Sequence, residues 1–591
     1  MQRLPFLSGP PKKLVAMPAS SHLLLCLCLA LVSGLATASP SPRDLRRFSA
    51  GDIAAVEATL PRHRRSSGTT FFEVDRPLRP PKGSSGPCST LLLSHSFAFT
   101  LTKPPVTAAY SPPSCLLGAG ASVSLAVLEW RAECRGVQYD RIFGVWLAGV
   151  ELLRGSTAEP RPGGVSWSVS KDVTRYAPLL AAAGNNATLA VYLGNLIDDT
   201  YNGVYHANLT LHLYFLRRAA ARPSSPAPAD VVVPISRSLP LNDGLWFVVQ
   251  NSTDVQSTPV SVPPNAYRAV LEVYVSSHYA DEFWYMNTPE ENGPFREVTV
   301  LLDGDVVGAV WPFPVIYTGG INPLIWRPIT SIGSFNFPTY DIELTPFLGK
   351  LLAGGDHEVG FAVTNAQSSW YVDANLHLWL DAKSSKTTAG LIAYDAPKLS
   401  GSIVSRSADG IDGEYDATAS RNITATGWVS SPSRGNVTTT FTQRMSFANT
   451  NVVSSHGSAQ AINQTTDAVT TVVFAGEQKQ EVHQSFPLYI FLGGDGSGTS
   501  SQRLMRRVEI GFDESRSGGA ETSTLRNRQA AAAEVTVKDD AVVGASWRMH
   551  QTYAYSDSDG GGCYVRNVSS VGYDVLFDHR DASCDGALVG R

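Results

Sequence analysis

The stretch RIFGVWLAGVELL (141–153) decides the fold class. Its apolar residues alternate with a period of two and are rich in β-branched and aromatic types, which predicts a strand packed on a core. VSLAVLEW (123–130), ATLAVYLG (187–194) and NLTLHLYFL (208–216) carry the same signature, with Pro and Gly between the runs. A Pro/Ala/Ser segment at 219–229 reads as a linker. The pattern then returns in RAVLEVYVSSH (268–278), REVTVLLDG (296–304), VGFAVTNA (359–366) and NLHLWLDA (375–382). The two sets look like copies. SVSKDVTRYAPLL (168–180) matches YDIELTPFLGKLL (340–352) in rhythm and in its closing Leu-Leu, as tandem domains of one architecture would. Thr/Ser/Gly-rich runs such as NVTTTFTQRMSF (436–447), AVTTVVFA (468–475) and YDVLFDHR (573–580) still alternate and predict a third β-rich region. The expected fold is all-β, with antiparallel β-sandwiches at 69–220 and 230–383 and a C-terminal β-rich region at 384–591.

The chain has 591 residues, ample for several cores, and a formal net charge of −5. Its basic residues do not cluster beyond the N-terminus, so a nucleic-acid partner is not expected. An apolar run from Leu23 to Leu35, preceded by Lys12 and Lys13 and followed by Ala36-Thr37-Ala38, fits a secretory signal over residues 1–38 and is too short to span a bilayer. No later segment is a membrane span by the same measure. Residues 39–68 are basic and Ser/Pro-rich, either a disordered leader or a pro-segment cut after Arg62-His63-Arg64-Arg65. Glycosylation triplets begin at Asn186, Asn208, Asn251, Asn422, Asn436, Asn463 and Asn567. Secretion also permits disulfides: Cys563 and Cys584 form a natural pair, and Cys88, Cys115 and Cys134 leave one bridge and one thiol that sequence does not assign.

The chain lacks a G-x-S-x-G elbow, a P-loop, a dinucleotide fingerprint, an H-E-x-x-H motif and any C-x-x-C spacing. Neither a metal nor a cofactor is therefore expected. Carboxylates beside aromatic residues remain. Asp140 and Arg141 open an apolar strand, where a carboxylate at the rim of a sandwich is partly desolvated and a neighbouring guanidinium can hold its charge. The same pair also reads as a solvated surface ion pair. In SSHYADEFWY (276–285), Asp281 and Glu282 lie among Tyr279, Phe283, Trp284 and Tyr285, a composition suited to sugars; the alternative is a loop carboxylate beside core aromatics.

The motifs QYDRIFGVWLAGVELLRGSTAEP (138–160), KDVTRY (171–176), NDGLWF (242–247), DEFWY (281–285), PFPVIYTGGINPLIWRPI (312–329) and WYVDANLHLWLD (370–381) resemble the plant-type acidic peptide-N-glycanases, the peptide-N4-(N-acetyl-β-glucosaminyl)asparagine amidase A family. The resemblance runs from about Phe71 to the C-terminus. It implies hydrolysis of the amide joining N-acetylglucosamine to an asparagine side chain of an N-glycopeptide, with release of the glycan and an aspartate left behind. It also implies an acidic optimum and a precursor cut into two associated chains, a heterodimer. A more distant similarity, to bacterial peptide-N-glycosidase F, implies two jelly-roll-like sandwiches and supplies residues. Cys134 and Tyr139-Asp140-Arg141 resemble its catalytic strand start, with Tyr in place of Trp. Asp281-Glu282-Phe283 resembles its supporting glutamate segment. Asp198 and Asp199 stand where it has a third acidic residue, with Asp in place of Glu.

On this reading Asp140 activates water, Arg141 holds the acetamido or carbonyl oxygen, and Glu282 polarises the amide or orders the water from across the cleft. Trp146 and Trp284 are candidate sugar-stacking rings and Asp281 a candidate sugar ligand, although alternation equally sends Trp146 into the core. The competing readings are a lectin-like, non-catalytic cell-surface protein and a glycoside hydrolase. The expected destination is the secretory pathway, ending outside the cell, in the wall or in the vacuole.

Overall fold

The computed structural model describes Val56 and residues 68–583, apart from 117–120, 183–186, 218–226, 410–411, 476–478, 496–500, 520, 540 and 559–561. The signal run, most of the basic leader, Asn186 and Cys584 lie outside the described residues. Among the described residues, no helix is long and apolar enough to cross a membrane.

The first sandwich pairs a five-stranded sheet with a four-stranded one. The larger runs Thr69–Thr70, Val165–Asp172, Ala121–Arg135, Val204–Arg217 and Ser85–Phe97 from edge to edge; the smaller runs Val106–Tyr110, Ala187–Leu193, Ile142–Leu147 and Val150–Ser156. All pairings are antiparallel except Thr69–Thr70 with Val165–Asp172. Val204–Arg217 shows why the alternation works. Tyr205, Ala207, Leu209, Leu211 and Leu213 are buried in the core, while His206 and Asn208 between them are exposed. Trp130 of the larger sheet stacks on Phe143 of the smaller at 4.5 Å, closing the layer. Cys88 and Cys115 form a disulfide, and Cys134 is the buried free thiol, its pKa pushed up to about 12 by burial. Cys563 is also disulfide-bonded.

The second sandwich repeats the plan. Val231–Ile235, Trp370–Leu380, Ala266–Ser277 and Thr339–Glu343, with Phe247–Val249 also on Trp370–Leu380, face Val255–Val260, His357–Val363, Val298–Leu302 and Asp305–Val310. The sequence copies superpose in kind: Val165–Asp172 is followed by a 3-10 turn and a short helix at Ala177–Ala182, and Thr339–Glu343 by a 3-10 turn and a short helix at Leu348–Leu351.

Strands Ile142–Leu147 and Val150–Ser156 are buried on both faces, because their outer face packs on Ala266–Ser277 and Trp370–Leu380 of the second sandwich. Polar groups join that interface. Arg154 pairs with Glu151 at 2.6 Å, both fully buried, and donates to the Tyr371 carbonyl at 2.7 Å and Ser276 Oγ at 3.1 Å. Asn375 brackets the Glu151 backbone, accepting from its N–H at 3.0 Å and donating to its carbonyl at 2.7 Å. Trp146 Nε1 donates to Asp373 at 2.8 Å.

From Thr388–Asp395 to Asp574–Asp581 the chain forms one eleven-stranded antiparallel sheet in near-sequential order. Its buried face is lined by amides as well as apolar groups, which accounts for the Thr/Ser/Asn-rich sequence. Gln443 exchanges two hydrogen bonds with the Ala309 backbone at 3.0 and 3.1 Å, Asn449 donates to the Tyr285 carbonyl at 3.2 Å, and Gln529 donates to the Thr330 carbonyl at 2.8 Å. The sheet therefore satisfies backbone groups of an edge strand and of the irregular loops of the second sandwich.

Where those loops meet the first sandwich, no side chain fits at Gly155: a Cβ there would stand 2.1 Å from the Phe335 carbonyl oxygen. The backbone bonds Ser156 N to Ser334 O (2.8 Å) and Phe337 N to Arg154 O (3.0 Å) hold the two chains at that separation. Gly155→Ala is expected to cost about 1–3 kcal/mol and to lower the thermal unfolding midpoint. Gly544→Ala, with nothing within 4 Å of its added methyl, should leave the midpoint unmoved.

Candidate active site

The chain leaves strand Ala121–Arg135 through Gly136, whose φ of +117° a side chain would strain, and returns as strand Ile142–Leu147. The connecting loop is tethered at three points: Val137 N to Asn202 Oδ1 (2.9 Å), Gln138 Nε2 to the Leu196 carbonyl (2.7 Å), and Tyr205 Oη to the Tyr139 carbonyl (2.6 Å). Arg141 and Thr157 exchange hydrogen bonds at 2.8 and 2.9 Å. Asp140 is thereby fixed, half-buried, at the end of the first sandwich.

The second sandwich reaches Asp140 with the turn Tyr317-Thr318-Gly319-Gly320. Gly319 N donates to Asp140 Oδ2 at 3.0 Å, Ser156 Oγ lies 3.5 Å from the same oxygen, and Thr318 Oγ1 donates to the Thr157 carbonyl at 2.7 Å. A side chain at Gly319 would have to displace the carboxyl groups of both Glu159 and Asp140. A Cβ there would lie 2.4 Å from Glu159 Oε2 and 2.5 Å from Asp140 Oδ1. Burial raises the Asp140 pKa above its ordinary 3.8, against the Gly319 hydrogen bond and the Arg141 charge that lower it. Glu159, 4% exposed, is pushed up to about 8 by burial, countered by Arg327 and aided by the Asp140 charge. Its Oε1 accepts from Arg327 Nη2 at 3.1 Å.

Glu282 follows the 3-10 turn Tyr279–Asp281 beyond strand Ala266–Ser277 and is half-buried. Tyr317 relates it to Asp140. The Tyr317 hydroxyl donates to the Ser277 carbonyl at 2.5 Å and is held neutral first by burial, then by the negative charges of both Glu282 and Asp140. One phenol of the second sandwich thus lies within the field of both carboxylates. Beside it His278 is stacked 3.9 Å from Tyr371 and 5.8 Å from Tyr317, and burial next to the Arg154 cation pushes it well below its ordinary 6.5. Two aromatic residues stand exposed nearby: Tyr279 (65%), adjoining His278, and Tyr139 (37%), whose ring lies 5.0 Å from that of Tyr201.

Several expected residues stand elsewhere. Trp146 is fully buried between the sandwiches and Trp284 is buried at 3% exposure, 6.1 Å from Trp370, so neither has a face for a sugar. Asp281 is also fully buried. It accepts from Arg296 Nε (3.0 Å), Gln367 N (2.7 Å), Ser368 N (3.2 Å) and Trp370 Nε1 (2.9 Å), a structural anchor in place of the expected sugar ligand. Asp198 caps its own turn, accepting from Thr200 N (2.8 Å) and Tyr201 N (2.7 Å), and Asp199 is exposed. Arg141 is half-buried next to Asp140, and its guanidinium donates to Gln138 Oε1. Asn208, Asn251, Asn422, Asn436 and Asn463 are exposed and Asn567 is half-buried. Among the described residues no cluster of three or more His, Cys, Asp or Glu side chains could hold a metal. Sequence reasoning missed Glu159, Tyr317 and Gly319. All three lie inside motifs that carry the resemblance, but nothing in their local pattern marks them as neighbours of Asp140.

Fold and site together define an all-β, two-sandwich protein with carboxylates and phenols gathered where the sandwiches meet. The chain belongs to the peptide-N4-(N-acetyl-β-glucosaminyl)asparagine amidase A family. Residues 77–397 match the family model described as peptide N-acetyl-beta-D-glucosaminyl asparaginase amidase A, and residues 414–488 match that of the PNGase_A C-terminal domain. The peptide-N4-(N-acetyl-beta-glucosaminyl)asparagine amidase A of Prunus dulcis is 49% identical over 544 residues, 88% of this chain and 93% of that protein. Two solved structures share 12% identity with this chain: recombinant peptide: N-glycanase F, with a TM-score of 0.32 over 51% of this chain and 96% of that one, and PNGF-II, with 0.34 over 50% and 66%.

The protonated carboxyls make stability pH-dependent. Glu73, which accepts from Gly333 N and Phe335 N at 2.6 and 2.8 Å, is pushed by burial from 4.5 to about 8, as Glu159 is. Each keeps its proton in the folded chain where the unfolded chain has lost it, so stability falls as pH rises from 4.5 towards about 8. His278 opposes this only below 6.5, where the unfolded chain takes up a proton that the buried ring refuses. The thermal midpoint is therefore expected to drop most steeply between 6.5 and about 8; a midpoint that climbs across that interval would contradict the assignment.

Proposed function

We propose that this chain hydrolyses the amide between N-acetylglucosamine and the asparagine side chain of N-glycopeptides, with Asp140 as the carboxylate that activates water. The observation that carries the reading is the Asp140 environment: a desolvated carboxylate at the junction of the sandwiches, oriented by the Gly319 N–H, with its charge and that of Glu282 both felt by the Tyr317 phenol. Family membership and the activity for which the Prunus dulcis relative is named support the same reaction.

An amide carbonyl is a weak electrophile, so water must lose a proton as it attacks. Asp140 takes that proton while the water oxygen bonds to the carbonyl carbon. The C–N bond then breaks, the nitrogen leaves protonated as a glycosylamine that later loses ammonia, and the asparagine side chain becomes aspartate. Arg141 is the nearest cation for the carbonyl or acetamido oxygen, and Glu282 orders the water or polarises the amide. Tyr279 and Tyr139 take the sugar-stacking role that buried Trp146 and Trp284 cannot fill. The N-terminal apolar run and the asparagine triplets support passage through the secretory route to the cell exterior, wall or vacuole, and the family resemblance supports maturation to two associated chains.

Purified protein incubated with a glycopeptide at pH about 5 should leave aspartate at the former glycosylated position. A retained N-acetylglucosamine stub would instead identify a glycosidase, and binding without a mass change a lectin. Asp140→Asn should lower kcat by about 10²–10⁴ with glycopeptide binding and folding retained, and Glu282→Gln should lower it less. Because Asp140 acts ionised, kcat/KM of the wild type should decline as pH falls through its raised pKa. Tyr279→Ala should raise KM several-fold with a smaller change in kcat; an unchanged KM would remove Tyr279 from the sugar site.

A further inference from the structure

Asp140 has a second carboxyl group against it that the proposed reaction does not use. Glu159 Oε2 and Asp140 Oδ1 both front the one-atom space at Gly319 that a Cβ would fill, at 2.4 and 2.5 Å from it. Glu159 Oε2 is buried and accepts no hydrogen bond from any described group. Its other oxygen is held by Arg327 Nη2 at 3.1 Å, and Arg327 is itself 1% exposed. The far side of Arg327 belongs to the C-terminal sheet. Arg327 Nη1 donates to Tyr573 Oη at 3.1 Å, and Trp547 Nε1 donates to the Arg327 carbonyl at 3.1 Å. Arg161 lies 4.2 Å over the Tyr573 ring.

We propose that Glu159 is a positioning residue for Asp140: the two carboxyls share one proton across the Gly319 turn, and the C-terminal sheet holds the pair in place through Tyr573 and Arg327. The inference rests on Asp140 being the carboxylate that activates water. Two carboxylates that front the same methyl-sized space and feel each other's charge do not readily both ionise out of water, so the pair carries one negative charge. The groups facing it are the cations Arg327 on Glu159 and Arg141 beside Asp140, and the neutral phenols Tyr205 and Tyr317. Glu159 is the more enclosed carboxyl and keeps the proton. Its O–H then faces Asp140 Oδ1 across the space at Gly319, while Gly319 N–H donates to Oδ2. Asp140 stays ionised, with both oxygens oriented. Loss of the Glu159 proton turns a donor into a repelling charge, so activity falls on the alkaline side as pH passes about 8.

The test is the pH profile of kcat/KM on a glycopeptide for wild type, Glu159→Gln and Glu159→Ala, with folding followed by circular dichroism. Glu159→Gln keeps a donor that cannot ionise, so its plateau, though lower than wild type, should no longer fall near pH 8. Glu159→Ala removes the donor and should lose about ten- to a hundredfold in kcat. A Glu159→Gln profile with the wild-type alkaline fall, or a Glu159→Ala enzyme as fast as wild type, overturns the proposal. If Glu159→Gln does not fold, Arg327→Gln takes its place. It removes the cation that holds the Glu159 pKa down and should move the alkaline fall to higher pH, an unmoved fall overturning the pairing. An active Asp140→Asn variant would refute the base itself, whereas an inactive one together with an unchanged Glu159→Gln profile would refute only the shared proton.

Discussion

The arrangement depends on Arg154. Its guanidinium lies between the two sandwiches, out of water, and three separate groups receive it: Glu151 on its own strand, and Ser276 Oγ and the Tyr371 carbonyl on the facing sheet. A buried charge is tolerated only when its donors are matched, and removing one partner of such a pair costs about 3–5 kcal/mol. The match exists in one relative placement of the sandwiches. Apolar packing alone would let the sheets slide; the directional bonds of Arg154, Asn375 and Trp146 fix the register. Since Asp140 comes from one sandwich and Gly319, Tyr317 and Glu282 from the other, that register is what assembles the site.

The eleven-stranded sheet extends the same logic to the loops. The segments carrying Glu282 and Gly319 are irregular, and irregular backbone in a buried place needs partners. Asn449, Asn451, Gln460 and Gln529 provide them from regular strands, and Trp547 and Tyr573 reach Arg327 directly behind the carboxylates. A site on long loops acquires in this way the rigidity of a sheet. The electrostatics are consistent with that enclosure. Burial keeps Tyr317 and His278 neutral and raises both Asp140 and Glu159, so the site concentrates carboxyl chemistry, with Arg141 beside Asp140 and Arg327 on Glu159 as its cations.

Much of this was legible in the sequence. Period-two alternation and Gly/Pro punctuation identify an all-β chain, because a strand half-buried in a sandwich must alternate. The shared rhythm and closing Leu-Leu of residues 168–180 and 340–352 identify the tandem plan, and the motifs from 138 to 381, that around Asp140 among them, identify the family. What alternation could not separate is a sheet face buried in a domain core from one buried in an interface between domains. Trp146 is apolar and outward-pointing, which reads equally as an exposed sugar platform or as interface, and only the facing Asp373 decides for the latter. Asp281 and Glu282 are adjacent acids in one acid-aromatic run, yet one is enclosed by Arg296 and Trp370 and its neighbour is left half-buried near Tyr317. Glu159 had no mark at all, since its significance lies in a glycine 160 positions away. Local pattern sets strand identity because strand identity is a property of neighbours in sequence. The pairing of carboxylates is a property of neighbours in space, and the packing of two sandwiches through buried polar bonds determines it.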